Sequence, residues 1–358
     1  MPGEWEPHRA TWISWPHHEP DWPGKLGPIP WVYAEIARVL SAHEQVEILC
    51  QSDEVRAAAQ AVLASHGVAA DRLRLHLVAT DRVWLRDSAP TAVHDDAGKV
   101  VLVDWVFNGW AKYDNWKLDV AVGPAIARIT GLPTEQPQRP DGRGRVVLEG
   151  GGIEVNGEGL LLVTEEWLLS DTQVRNPGLT RTDYERVFAD WLGIRQTIWL
   201  GEGCVGDDTH GHVDDIARFV SRDTVVLAVE EDPADENHAR SIDNVRRLEL
   251  ASQSGDDGSR LRIVKLPFAV HGDRPWERRT ASSQLREFLH RQRRDTRAYI
   301  QRRKRSNRAE HAGRADAVTS RDRHSRGRSG VGAWHSALPD AAGAAGKNLT
   351  GPKVPRGA

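Results

Sequence analysis

Short apolar strands and helix-patterned stretches alternate along this chain up to about residue 270, and there both patterns stop. Trp31 to Ala42 has helical spacing through Ile36, Val39 and Leu40, and Val46–Cys50 follows as a buried strand. Asp53 stands where an N-cap would open an Ala-rich helix that Gly67 closes. Leu73–Val78 reads as a strand, and Lys99–Phe107 follows Asp95-Asp-Ala-Gly, a hairpin signal. Val146–Leu148 leads into Glu149-Gly-Gly-Gly, and Asn156-Gly-Glu-Gly turns the chain into Leu160–Thr164. Tyr184–Leu192 and Ala234–Ser252 carry helical patterning; Thr197–Leu200, Val225–Val229 and Leu261–Leu266 read as strands. Hairpins separate the strands as often as helices do. The expected fold is therefore α/β, made of repeated mixed units and not one doubly wound sheet.

Charge divides the chain at the same place. Residues 271–358 hold 21 Lys and Arg against 8 Asp and Glu, which leaves 27 against 43 for the first 270. The near-neutral total of −3 thus averages two unlike parts. Arg291-Gln-Arg-Arg, Arg302-Arg-Lys-Arg and Arg321-Asp-Arg-His-Ser-Arg-Gly-Arg have no apolar face at either period. A tail of this kind can be a nucleic-acid arm or a solvated extension. No aromatic side chains interleave the basic runs as single-strand binding requires, so no nucleic-acid partner is expected. Elsewhere, no run of 18 apolar residues offers a membrane span, and the start lacks a basic segment followed by an apolar one. Two cysteines, Cys50 and Cys204, suit a reducing compartment, so a cytoplasmic protein without a membrane partner is expected.

Three polar clusters punctuate the ordered pattern. Asp207-Asp-Thr-His-Gly-His-Val-Asp-Asp215 gathers four carboxylates and two imidazoles in one short loop, where like charges need compensation by a cation or a metal. Trp84-Leu-Arg-Asp87-Ser-Ala-Pro follows a strand and ends on proline, and Glu149 precedes three glycines that allow close backbone approach. Taken singly, Asp87 could pair with Arg86, Glu149 could edge a turn, and His212 could be a half-buried core imidazole. A metal-dependent hydrolase could draw on His210 and His212 with the neighbouring acids. Together, carboxylates beside an indole describe a site for a flat guanidinium cation, through bidentate pairing and cation–π contact.

These motifs, with Met1-Pro-Gly-Glu-Trp-Glu-Pro-His-Arg-Ala-Thr-Trp-Ile-Ser-Trp-Pro16, Phe107-Asn-Gly-Trp110 and Arg175-Asn-Pro177, occur in an order that resembles the agmatine deiminase and bacterial peptidyl-arginine deiminase family over residues 1–268. The resemblance implies a five-bladed α/β propeller of the pentein type and no metal or organic cofactor. It implies a guanidine deiminase, with agmatine favoured, that yields N-carbamoylputrescine and ammonia. Asp87 and Asp214 would hold the guanidinium nitrogens, with Trp84 and Asp208 also binding substrate. His212 would be the acid/base and Glu149 part of the acidic wall.

The family's nucleophile is a cysteine in a segment like Gly-Thr-Leu-His-Cys-Leu-Thr-Gln-Gln, which this sequence does not contain. Cys204 lies eight residues before His212, where the family has an apolar residue, and Cys50 reads as core. Suitable codons for Leu285–Arg294, read one base later, give Tyr-Ala-Asn-Phe-Tyr-Ile-Ala-Asn-Gly, and Trp334–Ala342 shifts to Gly-Thr-Ala-Leu-Cys-Leu-Thr-Gln-Gln. Both outputs look like the family's last blade. The expectation is an incomplete deiminase domain over 1–270, followed over 271–358 by an aberrant tail from a frame change between Pro267 and Thr280. Such a chain would bind a guanidinium ligand without turning it over.

Overall fold

A computed structural model describes residues 1–253 and 261–268. The tail from 271 to 358 and most of the window for the frame change lie outside the described residues. The elements are β1 (Ala10–Ser14), α1 (Ile29–Ser41), β2 (Gln45–Cys50), α2 (Asp53–Ser65), β3 (Leu73–Leu77), α3 (Leu85–Ser88), β4 (Thr91–His94) and β5 (Val100–Val103). There follow α4 (Val122–Thr130), β6 (Thr134–Glu135), β7 (Glu154–Val155), β8 (Leu160–Thr164), α5 (Glu165–Leu169) and α6 (Arg181–Leu192). The last are β9 (Gln196–Leu200), β10 (Ala217–Ser221), β11 (Thr224–Val229), α7 (Asn237–Gln253) and β12 (Arg262–Pro267).

The described strands form small three-stranded sheets in the orders β1-β2-β3, β4-β5-β6, β7-β8-β9 and β10-β11-β12. In the last three, an antiparallel pair is extended by a parallel strand that returns after a helix. The first sheet is parallel throughout, because a helical crossover replaces its hairpin. Mixed units were the expectation, and the α/β class holds. The count of five blades depends on residues outside those described.

β8 shows how neighbouring units share a core. Leu161 and Val163 face a cluster with Val187 and Phe188 of α6, whereas Leu162 faces one with Val225, Leu227 and Leu248. A strand buried on both sides reads as an unbroken apolar run, as Leu160–Val163 does. The α6 helix opens on a capping box, Thr180 with Asp183, and closes on Gly193 at φ 68°.

Local departures from the sequence reading have identifiable causes. The cap of α2 is Ser52, whose hydroxyl accepts from the Val55 amide at 3.3 Å; Asp53 lies inside the first turn and pairs with Arg56. Ile36 is exposed, since α1 packs through Ala34, Ala37 and Leu40, and alanines let the helix approach the sheet closely. Lys99–Phe107 is not one strand: β5 ends at Val103, Asp104 turns to Gln136 and Arg145, and Val106 pairs with Val147 as an isolated bridge. Among the described residues, no helix is long and apolar enough to cross a membrane.

Candidate active site

Asp87, Glu149 and Asp214 each stand a few residues ahead of the first strand of a mixed sheet, and the sheets bring them together around His212. Asp87 sits in the single turn of α3, which Pro90 prevents from continuing. Its Oδ1 accepts from the Gly151 amide at 2.9 Å and its Oδ2 from the Trp110 indole at 3.0 Å. Glu149 is fully buried; the Trp167 indole donates to it at 2.7 Å and the Arg175 guanidinium at 3.1 Å. His212 presents Nε2 to Glu149 at 3.4 Å, while Nδ1 lies 3.9 Å from both Asp87 and Asp214. Asp214 is the open side, with 26% of its side chain exposed.

The glycines of Glu149-Gly-Gly-Gly are what permit this convergence. A Cβ on Gly151 would lie 2.6 Å from His212 Nδ1, 2.8 Å from Asp87 Oδ1 and 3.1 Å from Asp214 Oδ2. At Gly152 it would meet the Trp167 ring at 2.4 Å, and that ring stands edge-on to His212.

Electrostatics follow from burial. Desolvation pushes Asp87 up to about 6, aided by the charges of Asp214 and Glu149 and opposed by His212 and the Gly151 amide. Burial disfavours the His212 cation, yet Asp87, Glu149 and Asp214 outweigh it and raise the imidazole to about 9. Glu149, despite its burial, is held below its ordinary range by His212, Arg175 and Trp167. Asp87, Glu149 and Asp214 thus gather around one imidazole, and Arg175 pairs only with Glu149, so a small cation entering on the open side beside Asp214 would meet carboxylates.

The run Asp207–Asp215 divides into separate tasks. Asp207 organises the loop, accepting from the amides of Thr209, Gly211 and His212 at 2.8, 2.7 and 3.1 Å. Asp208 is exposed and bound by Lys112 and by the Tyr113 hydroxyl at 2.5 Å. His210 turns away to Ser170 at 3.0 Å and borders a groove of about 840 Å³ with Glu166, Arg240 and Arg247, which contains none of Asp87, Glu149, His212 or Asp214. Asp215 is pushed up to about 8 by burial and by its neighbours Asp207 and Asp214. Among the described residues, no group of three His, Cys, Asp or Glu could hold a metal ion.

Trp84 is half-buried against Trp22, their rings 5.6 Å apart; the indole bonded to Asp87 is that of Trp110. Trp110, Trp167 and Arg175 were given no role in the sequence reading. Two of them stand in motifs noted there, and Trp167 was silent. Both cysteines are buried; burial pushes the Cys50 thiol up to about 11 and, with Asp215 and Asp207 nearby, raises that of Cys204 further.

Comparison with known proteins adds an independent line. The family model described as Porphyromonas-type peptidyl-arginine deiminase matches residues 1–301. The agmatine deiminase of Stutzerimonas stutzeri (strain A1501) is 37% identical over 273 residues, which cover 75% of this chain and 70% of that protein. That of Pseudomonas aeruginosa (strain LESB58) is 35% identical with the same coverage. Among solved structures, the agmatine deiminase of Enterococcus faecalis superposes with a TM-score of 0.67 at 28% identity, covering 76% of this chain and 71% of that one.

Proposed function

Because the chain belongs to the Porphyromonas-type peptidyl-arginine deiminase family, we propose that the cluster around His212 is a guanidinium site of the deiminase type and that its ligand is agmatine. The observation that carries this reading is the net negative, largely buried set of Asp87, Glu149 and Asp214 with one imidazole between them. Asp87 and Asp214 take the guanidinium nitrogens, Glu149 completes the acidic wall, and Asp208 meets the far end of the ligand, with Trp84 beside the substrate path.

In the deiminase reaction a thiolate attacks the central guanidinium carbon. On this reading His212, its imidazole raised to about 9, gives its proton to the departing ammonia and then accepts one from the water that hydrolyses the thiouronium. Neither cysteine of this sequence suits the first step: both are buried in apolar clusters with their thiols pushed up. On this reading the chain binds a guanidinium without turning it over, and a frame change near residue 270 would put the Arg-rich sequence in place of the segment that carries the family's nucleophile. Calorimetric titration with agmatine and with methylguanidine tests the site. Binding of both, with no ureido product, is expected; absence of methylguanidine binding overturns the assignment. Resequencing the gene across codons 265–280 tests the frame change, and an uninterrupted frame with no cysteine-coding alternative overturns it.

A further inference from the structure

Resting on this guanidinium site and on Asp208 as the acid that meets the ligand's far end, a chain of contacts bears on that end. From Asp87 a path of contacts leads outward: the Trp110 indole donates to Asp87, the Trp110 and Tyr113 rings meet at right angles 5.9 Å apart, and the Tyr113 hydroxyl donates to Asp208. Lys112, beside Tyr113 in sequence, pairs with the same Asp208 carboxylate. Gln173 braces this arrangement, donating to the carbonyls of Trp110 at 3.1 Å and Asp208 at 3.3 Å. Gln173 has φ 47°, a conformation a non-glycine residue adopts at a cost, and Arg175 holds its carbonyl at 2.9 Å. The two loops are thus held at a fixed separation, with an ammonium already seated on the acid assigned to the ligand's tail.

We propose that Lys112 is a specificity-determining residue that reads the charge of the ligand's tail. A tail ending in an ammonium alone, as in agmatine, has to displace Lys112 from Asp208 and leaves it no carboxylate in direct contact, only the Tyr113 ring 5.4 Å away. A tail bearing both an ammonium and a carboxylate, as in free arginine, exchanges partners: its ammonium takes Asp208 and its carboxylate takes the released Lys112. Lys112 and Asp208 are both exposed, 39% and 60%, so their pair is weak and open to exchange. The nearby Arg82 cannot take over this part, because it is engaged by Asp21 at 3.0 Å and stacked over the Tyr113 ring at 4.0 Å.

The test is calorimetric titration of the full chain and of Lys112→Met with arginine and agmatine, each affinity expressed relative to methylguanidine, which has no tail. The arginine-to-agmatine affinity ratio is expected to fall by about three- to fivefold in the variant, the upper part of the range that exposed ion pairs support. Lys112→Arg, which keeps the charge, should hold the ratio within about twofold of the parent. A ratio unchanged in Lys112→Met while methylguanidine still binds overturns this inference alone. Failure of methylguanidine to bind the parent chain overturns the site assignment as well.

Discussion

Arg175 and Glu149 form an ion pair of 3.1 Å in which neither side chain has any exposed surface. All the remaining donors of Arg175 that are described go to backbone: the Gln173 carbonyl at 2.9 Å and the Thr209 carbonyl at 2.6 Å. One guanidinium therefore fixes the acidic wall, the braced turn at Gln173 and the loop that carries His212. Its neighbour Asn176 does the same for the approach to Glu149, exchanging bonds of 2.9 and 2.8 Å with the amide and carbonyl of Val147.

Removing one member of such a pair strands the other charge in a low dielectric. Arg175→Met is expected to cost about 3–5 kcal/mol of stability, and the double change Glu149→Gln with Arg175→Met is expected to recover a large share of that loss. Urea unfolding of the parent, both single variants and the double variant measures this directly. Additive losses in the double variant would show that the two groups act independently.

Stability and affinity should respond to pH in opposite directions. Asp87 holds its proton to about 6 in the folded chain against an ordinary 3.8, and His212 holds its proton to about 9 against 6.5. Both folded values are raised, so the stability each contributes is complete below its unfolded value. Asp87's share is lost as pH climbs from about 4 to 6, and that of His212 as pH passes from about 6.5 to 9. A guanidinium ligand needs Asp87 ionised, so methylguanidine affinity should rise about tenfold between pH 5 and pH 7. In Asp87→Asn that rise should vanish, and its persistence would assign the titration to another group.

Gly151→Ala tests whether the convergence of acids is the binding site. The added methyl would need to occupy space within 2.6 to 3.1 Å of His212, Asp87 and Asp214. Methylguanidine affinity is expected to drop more than tenfold, with about 1–3 kcal/mol lost in stability from overpacking. Calorimetry and thermal unfolding separate the two effects, and a variant that still binds at parental strength would place the site elsewhere.

Much of this arrangement was legible in the sequence. Asp87, Glu149, His212 and Asp214 each stand in a short polar motif beside a strand, and the structure brings all of them together. Their supporting partners were harder to read. Trp110 reaches Asp87 across 23 positions and Arg175 reaches Glu149 across 26, and such pairings depend on how sheets dock, which periodicity does not encode. Trp167 sits in an apolar segment and reads as core, which it is, except that its indole N–H donates to the buried Glu149 carboxylate. Asp208 was expected at the substrate from the resemblance alone; its exposure and its partners Lys112 and Tyr113 emerge only when two distant loops meet. At α2 the error was of a single position, because serine and aspartate are equally good caps and only the backbone angle distinguishes Ser52 from Asp53.

The acids of the cluster occupy one recurring address, the stretch just upstream of the hairpin in each mixed sheet. The first sheet keeps that address as well: Glu4, upstream of β1, reaches Arg86 and Arg218, which flank the addresses of the second and fourth sheets. A ligand held at the proposed site would draw on side chains from three such modules, so its binding would report whether the modules have docked in register.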